Sequence, residues 1–291
     1  MWQFDKSSRS RGPADWTYPP TLAASDRYRR TRLAWEIVLV LLVSVGQSAI
    51  YSVVSFVRAA TRAPISQQQT QLNPSRSAEP LWDAIYQFLD IFFSLALVAL
   101  ALYLLWEPAN NALRRIGLDF RRFGSDLARG LLLVALIGAP GIGVYAIGRA
   151  IGQSIAVVPA PLDSSWWVVA LLVLAALRAG LTEEVIFLGY LFDRLRRLGW
   201  SWTGIIVSTA LLRGSYHLYQ GWPSALGNVV MGLVFGWCYK RWGRVMPLVV
   251  AHTVIDIVAF VGYPLAAAWW PGIFAPPAST PTPTATPSPT V

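Results

Sequence analysis

Two histidines and three acidic residues interrupt the apolar stretches in the C-terminal half of this 291-residue chain. They are Glu183, Glu184, His217, His252 and Asp256, and no other histidine occurs in the sequence. Carboxylates and imidazoles can exchange protons with water, ligate a metal ion or relay protons. An ionisable group inside a membrane is costly and usually faces the interior of a helix bundle or a water-filled cavity. The set therefore predicts a reaction site.

Two more polar residues in the same half could support this group. Arg213 stands four residues before His217, and Asn228 lies on the next apolar stretch. Cys238 is the single cysteine, which excludes an internal disulfide and a cluster of thiolate metal ligands. The candidate chemistry therefore rests on oxygen and nitrogen groups.

The elements that carry these residues have the composition of membrane helices. Of all residues, 55% are hydrophobic and 13% are charged, whereas soluble domains carry about 25% charged residues. Apolar stretches of spanning length lie at 33–57, 81–106, 127–150, 164–191, 202–219, 224–239 and 245–263. The sequence predicts an all-α, polytopic transmembrane helix bundle of about seven spans, or eight if residues 264–275 also cross.

The net charge of +9 has a membrane explanation. In a soluble chain it would suggest nucleic acid as a partner, but here the basic residues lie in short connections beside apolar stretches. Four segments are strongly basic: 1–32, 114–122, 194–197 and 240–244. Positive connections favour the cytoplasmic side, so the N-terminus is predicted to be cytoplasmic and lipid, not nucleic acid, is the expected partner. Nearly all basic residues are arginine, which favours a bacterial origin and hence the bacterial plasma membrane.

The spacing of the polar residues predicts that they meet at one depth. If the helices that carry Glu183 and His217 are antiparallel around a turn near Gly199 and Trp200, these two residues lie level with each other. Arg213 then lies level with residues 187 and 188. In the third element, the four-residue spacing of His252 and Asp256 puts both side chains on one helix face.

Three short motifs in this region resemble those of the type II CAAX prenyl endopeptidases, a family also called CPBP or Abi. They are E-E-x-x-x-x-G at Glu183–Gly189, a motif that ends at His217, and His-x-x-x-Asp at His252–Asp256. They follow in the right order over residues 164–260. The resemblance implies an intramembrane endopeptidase that cleaves a membrane protein or peptide with a water activated by a glutamate and a histidine. It implies that Glu183 is the general base, with Glu184 beside it, and that His217 is the partner of this base. It also implies that His252 stabilises the oxyanion.

The chain departs from the family pattern at three positions. Leu188 stands where the family has an arginine that can pair with the second glutamate, and Arg213 stands where the second motif commonly has phenylalanine. Our hypothesis is that the cation has moved to the neighbouring helix and pairs with Glu184 from there. Asp256 replaces the family's asparagine, and an ionised aspartate cannot donate to an oxyanion. Asp256 could orient His252, be protonated or bind a metal, and Asn228 could supply the missing amide.

Other functions fit parts of the pattern. Glu183, His217, His252 and Asp256 are adequate zinc ligands, so a metal-dependent protease is the alternative enzyme, although no cofactor is expected for the glutamic type. An ion transporter would also use buried acids and histidines, but the chain shows no internal repeat. A catalytically silent immunity or scaffolding protein is a further alternative, because Leu188 breaks the first motif.

The composition and the motifs divide the chain into four regions. Residues 1–32 are predicted to be a flexible cytoplasmic tail, and residues 33–163 to form three transmembrane helices. Residues 164–263 are predicted to form the catalytic bundle. Residues 264–291 are predicted to form an interfacial segment followed by a disordered tract rich in proline and threonine.

Overall fold

The structure is a computed structural model that describes residues 21–107, 111–158 and 166–263, together with Leu265 and Trp269. This part of the chain is mostly helical, which confirms the predicted all-α class in its coarse form. The departure is a pair of three-residue strands. The predicted tract at the C-terminal end, and most of the tail and of segment 264–275, lie outside the described residues.

The N-terminal half contains α1 (Arg27–Leu42), α2 (Val45–Arg62), α3 (Pro80–Leu105), α4 (Ala112–Arg115), α5 (Phe123–Leu133) and α6 (Ala139–Ala150). The C-terminal half contains α7 (Trp166–Glu184), α8 (Phe192–Arg197), α9 (Trp202–Tyr216), α10 (Trp222–Trp242) and α11 (Met246–Ile257). Strands β1 (Gln69–Gln71) and β2 (Ala156–Val158) pair in parallel. Three π-helical segments, Val134–Gly138, Val185–Leu191 and Val258–Gly262, follow α5, α7 and α11 without a break in the helix.

The predicted number of spans is not confirmed. Within the described residues, two helical segments are long and apolar enough to cross a membrane, Pro80–Leu105 and Phe120–Ala150. Helices α1 and α2 are bent by 51° at their junction and make a third if they form one broken span. The segment Met246–Gly262 is apolar but shorter. Helix α9 also falls short, because it has 15 residues.

The helices that carry the predicted site are packed in the interior of the bundle. Helix α7 contacts α3 and α11, while α9 lies between α2 and α10, and α5 covers another side of α11. Large apolar side chains such as Trp35, Phe92, Phe93 and Leu136 are exposed on the outer helices. Such a surface suits lipid better than water.

The predicted turn at Gly199 and Trp200 is present between α8 and α9. Gly199 has a φ of +87°, a left-handed conformation that glycine adopts at little cost. Ser201 then begins α9, because its side-chain oxygen accepts a hydrogen bond from the Gly204 backbone N–H at 3.1 Å. Helices α8 and α9 therefore run antiparallel, as the spacing of the polar residues requires.

The basic connections gather at one end of the bundle. The Leu22 backbone N–H donates to the Arg197 carbonyl at 2.9 Å, and the Val245 N–H donates to the Ile116 carbonyl at 2.8 Å. Helix α1 begins at Arg27, before the predicted boundary at residue 33. The last residues of the predicted tail are thus helical or bound to the α8–α9 turn.

Candidate active site

The two adjacent glutamates end α7 and face two neighbouring helices. Glu183 and Glu184 are the last residues of α7, and the π-helical segment Val185–Leu191 begins directly after them. All seven residues of this segment are buried. A π-helical turn inside an α-helix is rare and frequently marks a functional site. Here it joins α7 to α8 and directs the glutamates toward α9 and α11.

A glycine lets α11 approach α7 next to the glutamates. A Cβ atom on Gly180 would lie 2.6 Å from the Thr253 Oγ1 atom and 3.3 Å from both the Thr253 nitrogen and the Val249 carbonyl oxygen. The missing side chain therefore allows close backbone contact one turn before Glu184. This contact places His252, the neighbour of Thr253, against the end of α7.

Glu184 is fully buried and paired on one oxygen. Its Oε1 atom accepts a hydrogen bond from Arg213 Nη2 at 2.6 Å and lies 2.7 Å from His252 Nδ1. A buried carboxylate is tolerated only when it is paired and hydrogen-bonded. Glu184, Arg213 and His252 thus form a hydrogen-bonded trio that joins α7, α9 and α11, while Glu184 Oε2 is buried and has no hydrogen-bond partner among the described residues.

The hypothesis that Arg213 supplies the cation for Glu184 is confirmed by this geometry. The guanidinium lies in the bundle interior, where the residue is 1% exposed. It also stacks over Phe187 and Phe235, with ring centroids 5.3 and 5.6 Å away. Leu188, at the position of the family's arginine, is buried among apolar side chains.

Glu183 is the more open of the two glutamates. Its side chain is 15% exposed, whereas that of Glu184 is 0% exposed. Its Oε2 atom accepts a hydrogen bond from the Tyr216 hydroxyl. The same oxygen lies 3.9 Å from Arg213 Nη2 and 3.9 Å from His252 Nε2. Within the described residues these contacts all fall on Oε2, which leaves Oε1 for another partner.

His252 and Asp256 lie on one helix face, as predicted. His252 Nε2 is 3.5 Å from Asp256 Oδ2, while His252 Nδ1 is held by Glu184. The Nε2 atom therefore faces both Asp256 and Glu183. The structure brings the aspartate to the histidine, where it can orient the ring.

His217 lies at the C-terminal end of α9, next to Tyr216. The two rings are 4.6 Å apart between centroids. Both nitrogens of the His217 ring are buried and have no hydrogen-bond partner among the described residues. A buried polar atom of this kind is satisfied by water or a ligand in most proteins. The imidazole is thus available to a small molecule, and it stands next to Tyr216, whose hydroxyl bonds Glu183.

Asn228 does not join this set through its hydrogen bond. Its side-chain amide donates to the Ser224 carbonyl at 3.0 Å, one turn earlier on α10. The amide of the predicted supporting residue is therefore engaged within its own helix.

Two residues of the site were not predicted from the sequence: Tyr216, which contacts Glu183 directly, and Phe187, which stacks on Tyr216. The ring centroids of Tyr216 and Phe187 are 6.0 Å apart and the planes differ by 12°. The position of Tyr216 directly before His217 was the available signal. Tyrosine is common on buried helix faces, so that signal was weak.

Three of the groups are also close enough to hold a metal ion. Potential ligand atoms of Glu183, Glu184 and His252 lie within 4.8 Å of one another. This set contains Glu184 in place of the predicted ligands His217 and Asp256. However, the Glu184 oxygen and the His252 nitrogen already bond each other, and the Arg213 cation lies on the same oxygen. A metal ion would have to displace these bonds.

Comparison with known proteins supports the sequence resemblance over the same helices. Residues 165–258, about a third of the chain, match the family described as type II CAAX prenyl endopeptidase Rce1-like. The match spans all three motifs and confirms the resemblance predicted from them. It supports a membrane hydrolase of the protease class. No curated protein and no solved structure matches the chain.

Proposed function

We propose that this protein is an intramembrane endopeptidase in which Glu183 and His217 activate a water molecule. The observation that supports this most strongly is the difference between the two adjacent glutamates. Glu184 is fully buried and bonded to Arg213 and His252, whereas Glu183 is 15% exposed and bonded only to the Tyr216 hydroxyl among the described residues; the imidazole of His217, next to Tyr216, lacks a protein partner among the same residues. One carboxylate thus has a structural role and the other is available for chemistry.

The proposed reaction uses Glu183, His217 and His252. Glu183 takes a proton from the water that His217 orients, and the water oxygen bonds to the scissile carbonyl carbon. His252 donates a hydrogen bond from Nε2 to the oxyanion that develops there. The carbon–nitrogen bond then breaks, and the proton held by Glu183 passes to the departing amine.

The role of Asp256 follows from its distance to His252. At 3.5 Å the carboxylate can attract the Nε2 proton without holding it in a short bond. His252 can then turn its donor to an oxyanion, and Asp256 stabilises the positive charge of the ring. We therefore assign Asp256 to the orientation of His252 and expect no contact between it and the substrate.

The proposed substrate is a peptide segment of a membrane protein that enters from the lipid phase. Comparative proteomics of membrane-protein termini tests this in cells that contain either the wild type or Glu183→Gln. We expect new termini that disappear in Glu183→Gln and in His217→Ala but persist in Glu79→Gln, an exposed control at the start of α3. Identical termini in all four strains would contradict hydrolysis and favour a scaffolding role.

A metal-dependent mechanism is the second candidate, because Glu183, Glu184 and His252 offer ligand atoms within 4.8 Å. In that mechanism a bound zinc ion, in place of Glu183 and His217, would activate the water. The two mechanisms differ in their response to a chelator. Cleavage that survives EDTA supports the glutamic type, whereas loss with EDTA and recovery with zinc supports the metal type.

We also propose a seven-span arrangement in the bacterial plasma membrane with a cytoplasmic N-terminus. Helices α1 with α2, α3, α5 with α6, α7 with α8, α9, α10 and α11 would be the seven spans. The gathering of the basic connections at one end of the bundle supports a common cytoplasmic side for them.

A further inference from the structure

The Tyr216 hydroxyl makes the one close hydrogen bond to Glu183 within the described residues. It donates to Oε2, the oxygen that also faces Arg213 and His252 at 3.9 Å. No motif of the matched family draws attention to this position. The contact nevertheless falls on the residue to which the proposed function assigns the general base.

The tyrosine itself is rigidly held. It is 8% exposed, and its ring stacks on Phe187 from the π-helical segment. Phe187 in turn lies under the Arg213 guanidinium at 5.3 Å. The hydroxyl is thus fixed by two helices and cannot follow a movement of the Glu183 side chain.

Two further donors lie close to Glu183. Arg213 Nη2 and His252 Nε2 are each about one ångström beyond hydrogen-bond distance from Oε2. A small rotation of the glutamate would bring it into hydrogen-bond contact with Arg213 and His252. The carboxylate would then be held by these donors and hindered from taking a proton from water. The bond to the Tyr216 hydroxyl opposes this rotation.

We propose that Tyr216 is a positioning residue that holds Glu183 away from Arg213 and His252 and keeps its Oε1 atom directed to the water near His217. This inference rests on the proposed function, since it assumes that Glu183 is the base. It assigns a defined role to a residue at a position that the second motif leaves unspecified.

The test is Tyr216→Phe, which keeps the stacked ring and removes only the hydroxyl. Tyr190→Phe is a matched control, because Tyr190 is also buried and its hydroxyl also donates a hydrogen bond to a carboxylate, that of Glu36, at 3.0 Å. Both full-length proteins are reconstituted in liposomes. They are assayed with a fluorogenic peptide that spans a cleavage site found in the terminal proteomics.

For Tyr216→Phe we expect kcat to fall about 100-fold, the size of effect that a misplaced catalytic group produces, with KM unchanged within about twofold. Tyr190→Phe should keep the wild-type kcat. The thermal unfolding midpoints of the two variants should be similar. A purely structural role would lower the midpoint or raise KM and leave kcat intact.

The possible failures can be told apart. If the wild type cleaves, Glu183→Gln does not, and Tyr216→Phe matches Tyr190→Phe in kcat, the positioning role is wrong and the proposed function stands. If Tyr216→Phe loses stability and KM together with kcat, the tyrosine is structural and the inference is again wrong. If wild type and Glu183→Gln are equally inactive, the proposed function fails and the role of Tyr216 fails with it.

Discussion

The exchange of a cation between two helices explains how this chain tolerates Leu188 in the first motif. Glu184 is fully buried, and a buried charge without a partner is strongly destabilising. In the family pattern the partner follows on the same helix, whereas here Arg213 reaches across from α9 at 2.6 Å. Charge neutralisation is retained although the residue that performs it has moved.

This exchange predicts the behaviour of a double substitution. Arg213→Phe alone should destabilise the protein by about 3–5 kcal/mol, because Glu184 loses its cation. Adding Leu188→Arg should recover part of that loss, since residues four apart on a helix can pair. Denaturant unfolding in detergent measures both effects. Arg241→Leu, at an exposed position on α10, is the control and should change stability by less than about 0.5 kcal/mol. A double variant no more stable than Arg213→Phe would contradict the idea that Arg213 replaces a cation at position 188.

Predictions of single contacts from the sequence were correct where the position of a residue along the helix axis decides the contact. The antiparallel count placed Arg213 near the glutamates, and the four-residue spacing placed Asp256 on the face of His252; both contacts are present. Tyr216 was missed although the same count puts it level with Glu184, because the count does not show which way the side chain faces. Residue spacing gives the level of a residue along the helix and carries no information about side-chain orientation.

At the scale of elements, the site depends on the close approach of α7 and α11 at Gly180. Gly180→Ala would place a Cβ 2.6 Å from Thr253 Oγ1, and overpacking of this kind costs about 1–3 kcal/mol. We expect the variant to be destabilised by that amount and to lose activity, because His252 is displaced from Glu184. Thermal unfolding and the peptide assay measure the two effects.

A second substitution and a control make the Gly180 prediction specific. Thr253→Ala removes the nearest atom, so the variant that carries both changes should recover most of the stability. Gly227→Ala on α10 should be neutral, because a Cβ there would meet nothing within 4 Å. If Gly180→Ala is as stable and active as Gly227→Ala, the close approach does not position the site.

The π-helical segment after Glu184 could not be predicted from the sequence. Hydrophobic periodicity reveals a helix when one face is apolar and the other polar. All residues of Val185–Leu191 are buried, so the segment presents no polar face and its sequence has no periodic signal. The sequence therefore predicted one continuous apolar stretch over 164–191. The structure divides this region into α7 and the π-helical segment, and α8 begins directly after it at Phe192.

At the scale of the whole molecule, an ion cluster joins the N-terminal helices to the matched region. It consists of Glu36, Glu107, Arg115, Asp193, Arg194 and Arg197. Glu36 belongs to α1, Glu107 follows α3, and Asp193 on α8 pairs with all three arginines of the cluster. The basic connections were predicted to mark the cytoplasmic side, and in this cluster their arginines are paired with acids. Sequence alone could not show the pairs with Glu36 and Glu107, because these acids are distant from α8 along the chain.

The ion cluster predicts a loss of stability in acid. Burial raises the pKa of Glu107, but the hydrogen bond from Arg197 and the positive charges of Arg115 and Arg197 together bring it below its ordinary value of 4.5. A lowered pKa means that Glu107 contributes its full stability above pH 4.5 and loses it as the pH falls through the lowered pKa. Unfolding midpoints between about pH 6 and pH 3 should therefore fall more steeply for wild type than for Glu107→Gln. Glu79→Gln should follow the wild type, and parallel curves for all three proteins would contradict the role of Glu107.

The position of the site in the membrane depends on which end of the bundle faces the cytoplasm. Residue Ser201 is exposed at the end where the basic connections gather. Ser75 is exposed and lies shortly after β1, which pairs with β2. The Ile155 N–H, just before β2, donates to the Gln220 carbonyl at 3.3 Å, beyond the C-terminal end of α9. Ser75 is therefore near the end of the bundle opposite to Ser201.

In a Cys238→Ala background, Ser201→Cys and Ser75→Cys therefore mark the two ends. A membrane-impermeant maleimide should label Ser75→Cys in right-side-out vesicles and Ser201→Cys in inside-out vesicles. Since Glu183 and Tyr216 lie at the end of α9 that is remote from Ser201, this outcome would place the catalytic groups away from the cytoplasmic basic end. Labelling of both cysteines from one side would contradict a bundle that crosses the membrane between them, and the opposite sidedness would invert the proposed orientation.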